Sequence, residues 1–135
     1  FLLLPDEQQF KNGLERAESV RDIFVNSSFE SVFHGLRAEM AFYVSDYAVL
    51  VEALDAQYRA GISNVRVKEA VLFRLARLFE LELSDYDKAE KYYRLLAEKV
   101  PSSQKAHFAL LRANELLEGK LNSDYAPALF KNTDH

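Results

Sequence analysis

Apolar residues recur along this chain at spacings of three and four, and nowhere in the strict alternation of a half-buried strand. Phe10, Leu14, Ala17, Val20 and Phe24 lie on one face of a first helix. Pro5 opens it, and Asp6 and Glu7 follow, acids set against the positive end of the helix dipole. Asn26-Ser27-Ser28 breaks the pattern, and Ser27 with Glu30 has the spacing of a capping box for a second helix presenting Phe33, Leu36, Met40 and Val44. A third helix starts at Asp46-Tyr47, carries Leu50, Leu54 and Tyr58, and stops at Gly61. A fourth runs from about Val65 to Leu83 and a fifth from Asp85 to Val100, halted by Pro101. A sixth spans Gln104 to Glu118, closed by Gly119, and Tyr125 to Phe130 can form a last short one. Connections this short force successive helices to be antiparallel neighbours. The pattern predicts an all-α fold of five to seven helices.

Composition narrows the classes. Gly and Pro together number seven, 4 and 3, too few for a turn-rich β fold. Zero cysteines exclude disulfides, thiolate metal sites and cysteine nucleophiles. The net charge of −4 has the wrong sign for a nucleic-acid binder. Residues 1–63 carry 10 acids against 5 bases, and residues 64–135 carry 11 against 12, so the acidity sits in the first half. No run approaches the ~20 apolar residues of a membrane span. Phe1-Leu2-Leu3-Leu4 is fully apolar and either begins the first helix or is the stub of a removed anchor or signal segment. The sequence assigns no location: cytoplasmic and, with an anchor, membrane-tethered and extracytoplasmic are the two alternatives.

The chain repeats itself. Ser-Asp-Tyr occurs at 45–47, 84–86 and 123–125, 39 residues apart each time. Phe33, Leu36, Arg37 and Met40 before the first copy correspond to Leu72, Leu75, Ala76 and Phe79 before the second, and Leu50 and Leu54 after it to Ala89 and Tyr93. Asp is suited to accept backbone N–H groups at an N-cap, and the Tyr beyond it to pack between paired helices. The expected organisation is one domain over 1–135, a fragment of a longer protein. A helix over 5–25 precedes copies at 28–61, 65–101 and an incomplete 104–130.

The run from Tyr86 through Ala89 and Tyr93 to Pro101 resembles the second helix of a tetratricopeptide repeat, and Leu72, Leu75, Ala76 and Phe79 resemble its first. Departures are an extra residue before the second Ser-Asp-Tyr, Arg37 at a small-residue position, and a period longer than the usual ~34. The third copy admits either His107 or Leu110 at its leading aromatic position. The specific match covers about 70–110. The resemblance implies helix hairpins stacked as a short right-handed solenoid whose first helices line a concave groove. Phe73, Arg74, Arg77 and Leu81 would face that groove from the second copy, Phe108 and Arg112 from the third, and His34, Ala38 and Phe42 from the first. The Lys and Asn pattern of the chaperone-binding members is absent, with His34 and Ala38 at two of its places, so that activity does not carry over.

The function implied is non-enzymatic: a scaffold or adaptor gripping another protein or peptide, acidic and apolar to suit three groove arginines. The alternative is a self-associating structural subunit, a homo-oligomer built through its first or last helix. No cofactor or metal is expected. His34, His107 and His135 stand on separate elements without ligand spacing. Glu80, Glu82, Asp85, Asp87 and Glu90 lack the glycine of a calcium loop and are expected as a cap and a solvated rim. Tyr93 is expected inside the hairpin and Tyr92 half exposed.

Overall fold

A computed structural model describes residues 5–125, with side chains as far as Lys120. Among the described residues it holds six helices, 83% of positions, and no strand. They are α1 (Pro5–Phe24), α2 (Glu30–Tyr43), α3 (Tyr47–Ala60), α4 (Val65–Leu81), α5 (Tyr86–Lys99) and α6 (Gln104–Tyr125). The all-α reading of the sequence is borne out. The chain forms two compact units, Phe1–Val71 and Leu72–His135, with the boundary inside α4.

In the first unit, Phe24 stacks on Phe33 at 4.3 Å and Phe10 meets Tyr43 at 4.4 Å, so α1 runs antiparallel to α2. Gly13 does not break α1; a Cβ there would lie 2.6 Å from the Met40 Sδ, so the bare glycine lets that thioether settle. Helices α2 and α3 are also antiparallel: the Ser31 hydroxyl donates to the Gln57 carbonyl at one end, and Arg37 reaches Glu52 further along. Their shared core is Phe33, Ala38, Ala41, Leu50, Ala53 and Leu54.

In the second unit, Leu72, Leu75, Ala76 and Phe79 of α4, Ala89, Tyr92, Tyr93 and Leu96 of α5, and Ala106, Ala109 and Ala113 of α6 are buried. Arg94 donates to Asn114 and Lys120 to Asp87, which sets α6 antiparallel to α5. Helix α6 buries only alanines among its described side chains. Small residues let two helix backbones approach closely.

The two Ser-Asp-Tyr turns share one geometry. Ser45 and Ser84 are left-handed, with φ of 57 and 51. Asp46 and Asp85 then cap the next helix, accepting from the Val49 and Lys88 amides at 3.1 and 3.2 Å. The Asp46 amide donates back to the Ala41 carbonyl, and the Asp85 amide to that of Phe79. Ala41 is therefore the counterpart of Phe79, and the extra residue lies within the second turn.

That single residue corrects the register of the preceding helices. Sequence spacing pairs Leu36 with Leu75 and Arg37 with Ala76. The fold pairs Arg37 with Leu75 and Ala38 with Ala76. Leu36 is accordingly 60% exposed rather than core, while Ala38 is 1% exposed and fills the small-residue place.

Three further expectations change. The Ser27 hydroxyl accepts from the Phe29 amide, and Glu30 reaches the Asn26 amide, so no capping box closes on Ser27. Helix α6 runs through Gly119 to Tyr125 and takes the third Ser-Asp-Tyr into its backbone. The same tripeptide thus turns at 45–47 and 84–86 and is helical at 123–125, where Ser and Asp are tolerated within the helix. Phe1–Leu4 and all of the expected Tyr125–Phe130 helix beyond Tyr125, which ends α6, lie outside the described residues.

Candidate functional site

The second unit brings together four of the residues that the sequence places in a groove. Phe73 and Arg77 on α4 face Phe108 on α6. The two rings meet edge to face at 5.9 Å, and the Arg77 guanidinium lies 6.0 Å from one centroid and 5.9 Å from the other. Tyr93 closes the floor from α5, its ring 6.1 Å from Phe108. Lys105 adds a second cation, 5.5 Å from the Phe73 ring. Periodicity explains the convergence: Phe73 and Arg77 are one turn apart on α4, and Phe108 and Arg112 one turn apart on α6. Phe108 remains 42% exposed, so this cationic and aromatic surface is open to solvent.

Arg112 is also there, but not as a free charge. Its Nε and Nη2 both donate to Glu80 Oε2, and its Nη1 donates to Glu115 Oε1 at 3.1 Å. The other Glu80 oxygen accepts from the Tyr93 hydroxyl at 2.8 Å. The hydrogen bonds from Arg112 hold the Glu80 carboxyl below its usual range against the opposing effect of burial, and Tyr93 adds to them. Burial, and then the bond to Glu80, push the Tyr93 hydroxyl up to about 12, although Arg77 pulls the other way. Glu80 pairing raises the Arg112 guanidinium further above its already high value. Of the three arginines expected to serve the groove, Arg112 is thus bound to carboxylates, and Arg74 is itself engaged.

Glu80 is the residue that sequence reasoning missed. It was expected on a solvated rim, yet it is 7% exposed. The signal was there: Glu80 stands one helical turn after Ala76, on the buried stripe of α4, where a carboxylate needs partners. Leu81, expected in the groove, is 57% exposed at the end of α4 and makes no part of the aromatic cluster. His107 and Leu110 are both exposed, and the buried residues of α6 are Ala106, Ala109 and Ala113 instead. Tyr92 is buried at 5% exposure, stacked on Phe79 at 5.5 Å, rather than half exposed. Of the remaining repeat positions, Pro101 and Tyr86 are exposed.

In the first unit, Phe42 is exposed, but His34 and Ala38 are buried and cannot present themselves to a ligand. His34 instead joins Arg37, itself 2% exposed, whose guanidinium pairs with Glu52 of α3. Hydrogen bonds from Arg37 and Arg21 bring the Glu52 carboxyl below its usual range, overcoming the larger effect of burial.

A cleft of about 870 Å³ opens in the second unit between the α4–α5 turn and α6, lined by Leu83, Asp85, Tyr86, Asp87, Glu115 and Leu116 among others. Its acids are matched by neighbouring cations: Asp87 by Lys120, Asp85 by Lys88, and Glu115 by Arg112. Among the described residues no cluster of His, Cys, Asp and Glu has the arrangement of a metal site, and no helix is long and apolar enough to cross a membrane. No protein-family model, curated protein or solved structure matches this chain.

Proposed function

We propose that this chain is a non-enzymatic protein-binding module of tetratricopeptide-like helix hairpins, and that its second unit grips an extended or helical segment carrying acidic and apolar side chains. The observation that carries this reading is the solvent-open cluster of Phe73, Arg77 and Phe108, with Lys105 beside it. Aromatic faces offer apolar contact at low entropic cost, and cations poised over them attract carboxylates that approach from solvent. The repeated Asp-capped hairpin supports the family reading. Such a segment binds in the micromolar range, more weakly as salt rises.

Selection of displayed random peptides on the purified chain tests this. Enrichment of sequences mixing Asp or Glu with Leu, Ile or Phe is expected. Phe108→Ala and Arg77→Glu should each weaken a selected peptide by about tenfold, roughly 1.4 kcal/mol. Peptides that hold equally well to both variants would place the binding surface elsewhere.

Self-association is the second reading. It is favoured by Leu110, Leu111 and Leu117 on α6, which are 45%, 54% and 37% exposed. An apolar face of that kind is a common mark of a protein interface. Sedimentation of the chain over a concentration series separates the two readings, since a concentration-independent monomer excludes the second.

A further inference from the structure

The first unit contains a buried histidine that neither reading above uses. His34 is 3% exposed, and its Nδ1 lies 2.9 Å from Arg37 Nη1. A guanidinium has only donors, so Nδ1 must present its lone pair. The single ring hydrogen then sits on Nε2, which faces Glu30 Oε2 at 3.7 Å, beyond hydrogen-bonding reach. The neutral form of His34 is thus built into the contact with Arg37.

Arg37 is at the same time the link among three helices. Its Nη1 and Nη2 donate to the Glu52 carboxylate of α3, and Nη2 lies 3.6 Å from Glu18 of α1. Arg21 of α1 also donates to Glu52, through Nη1 at 3.2 Å and Nη2 at 2.9 Å. Helix α1 has few other holds: Ala17 is its one buried residue among those described, aided by the ring contacts of Phe10 and Phe24.

We propose that protonation of His34 loosens α1 from the α2–α3 hairpin, making the first unit an acid-responsive latch. A proton on Nδ1 removes the acceptor of Arg37 and sets two cations against each other in a buried site. Arg37 must swing away, and it carries the Glu52 and Glu18 contacts with it. The charged groups around the ring are Glu18 and Arg21 from α1, Glu30 and Arg37 from α2, and Glu52 from α3. Glu30, and after it Glu52, would favour the imidazolium. Against it, burial, then Arg37, then Arg21 depress the basicity of the ring below its ordinary 6.5. The stability that neutral His34 contributes is therefore present above pH 6.5 and declines as pH falls below it. The second unit has no counterpart: its described histidine, His107, is exposed, which makes that unit an internal control.

The test is amide hydrogen exchange on the full chain at about pH 7.5 and about pH 5.5, corrected for intrinsic rates, together with an NMR titration of the His34 ring. Exchange in α1 should accelerate, by up to the roughly tenfold that protonation of a released histidine of ordinary basicity allows at pH 5.5, while α5 and α6 hold steady. His34→Gln and His34→Asn carry an amide oxygen that can accept from Arg37 without titrating, and should flatten the response of α1. Acceleration of α1 that persists in both variants overturns the latch. Should neither variant fold, the wild-type chain still decides: an α1 midpoint that departs from the His34 titration overturns it equally.

Discussion

Glu80 on α4 holds Arg112 on α6 through two donors to one oxygen, while its other oxygen takes the Tyr93 hydroxyl of α5. One buried carboxylate thus ties together the three helices of the second unit. Removing either charge leaves the other partner poorly satisfied, and because the Arg112 side chain is 31% exposed, breaking the pair from one side costs about 1–3 kcal/mol. Arg112→Leu should lower the free energy of unfolding of the second unit in urea by that order and so lower its midpoint, and the double variant Glu80→Leu/Arg112→Leu should recover part of the loss. A midpoint unmoved by the single change would show that the pair adds nothing. The result also bears on binding, since charge reversal at Arg112 would disturb the fold before it disturbed a groove.

The same network makes Tyr93 resist ionisation. With its hydroxyl pushed up to about 12, the tyrosine remains protonated in the folded protein well above the pH at which an unfolded chain would lose it. Its stabilising contribution is complete below the ordinary value of 10.0 and is lost as pH rises through about 12. Ultraviolet difference titration should therefore show a late tyrosine step that disappears in Tyr93→Phe. A titration with the same late step in both proteins would assign it to another residue.

The corrected register of α2 can be checked by packing. Ala38 and Ala89 are 1% and 0% exposed, so Ala38→Leu and Ala89→Leu should each overpack and destabilise by about 1–3 kcal/mol. Leu36, at 60% exposure, should tolerate Ala with a change within about 0.5 kcal/mol. Thermal melts of the three variants decide the matter, because a large loss for Leu36→Ala with none for Ala38→Leu would restore the sequence-derived register.

The left-handed serines offer a stabilising change. Ser45 and Ser84 adopt φ of 57 and 51, a region that costs a residue with a Cβ about 1 kcal/mol. Ser84→Gly should gain some fraction of that, offset by the greater freedom glycine has in the unfolded chain, and Ser84→Val should lose more than is gained. A melting temperature for Ser84→Val at or above that of the parent would contradict the turn geometry.

Sequence alone determined the elements. Helical periodicity, Pro5, the Asp caps before Val49 and Lys88, and the stop at Pro101 act within a few residues of one another, so the all-α class and most helix boundaries follow from local chemistry. The convergence of Phe73 and Arg77 with Phe108 was legible too, since each helix fixes which of its residues share a face.

Tertiary structure decided the rest. Whether one extra turn residue is absorbed before or after Phe79 depends on which carbonyl the Asp85 amide can reach once α5 packs back, and that choice rotated α2 relative to its sequence alignment with α4. Ser-Asp-Tyr turns after α2 and α4 yet continues the helix in α6, so the tripeptide alone does not dictate the turn. Which charges are buried cannot be read along one helix, because Glu80 and Arg112, or Arg37 and Glu52, become partners only when distant elements meet. A carboxylate on an apolar stripe announces that it needs a cation; only the fold names the cation, because charge pairing acts through space while periodicity acts along the chain.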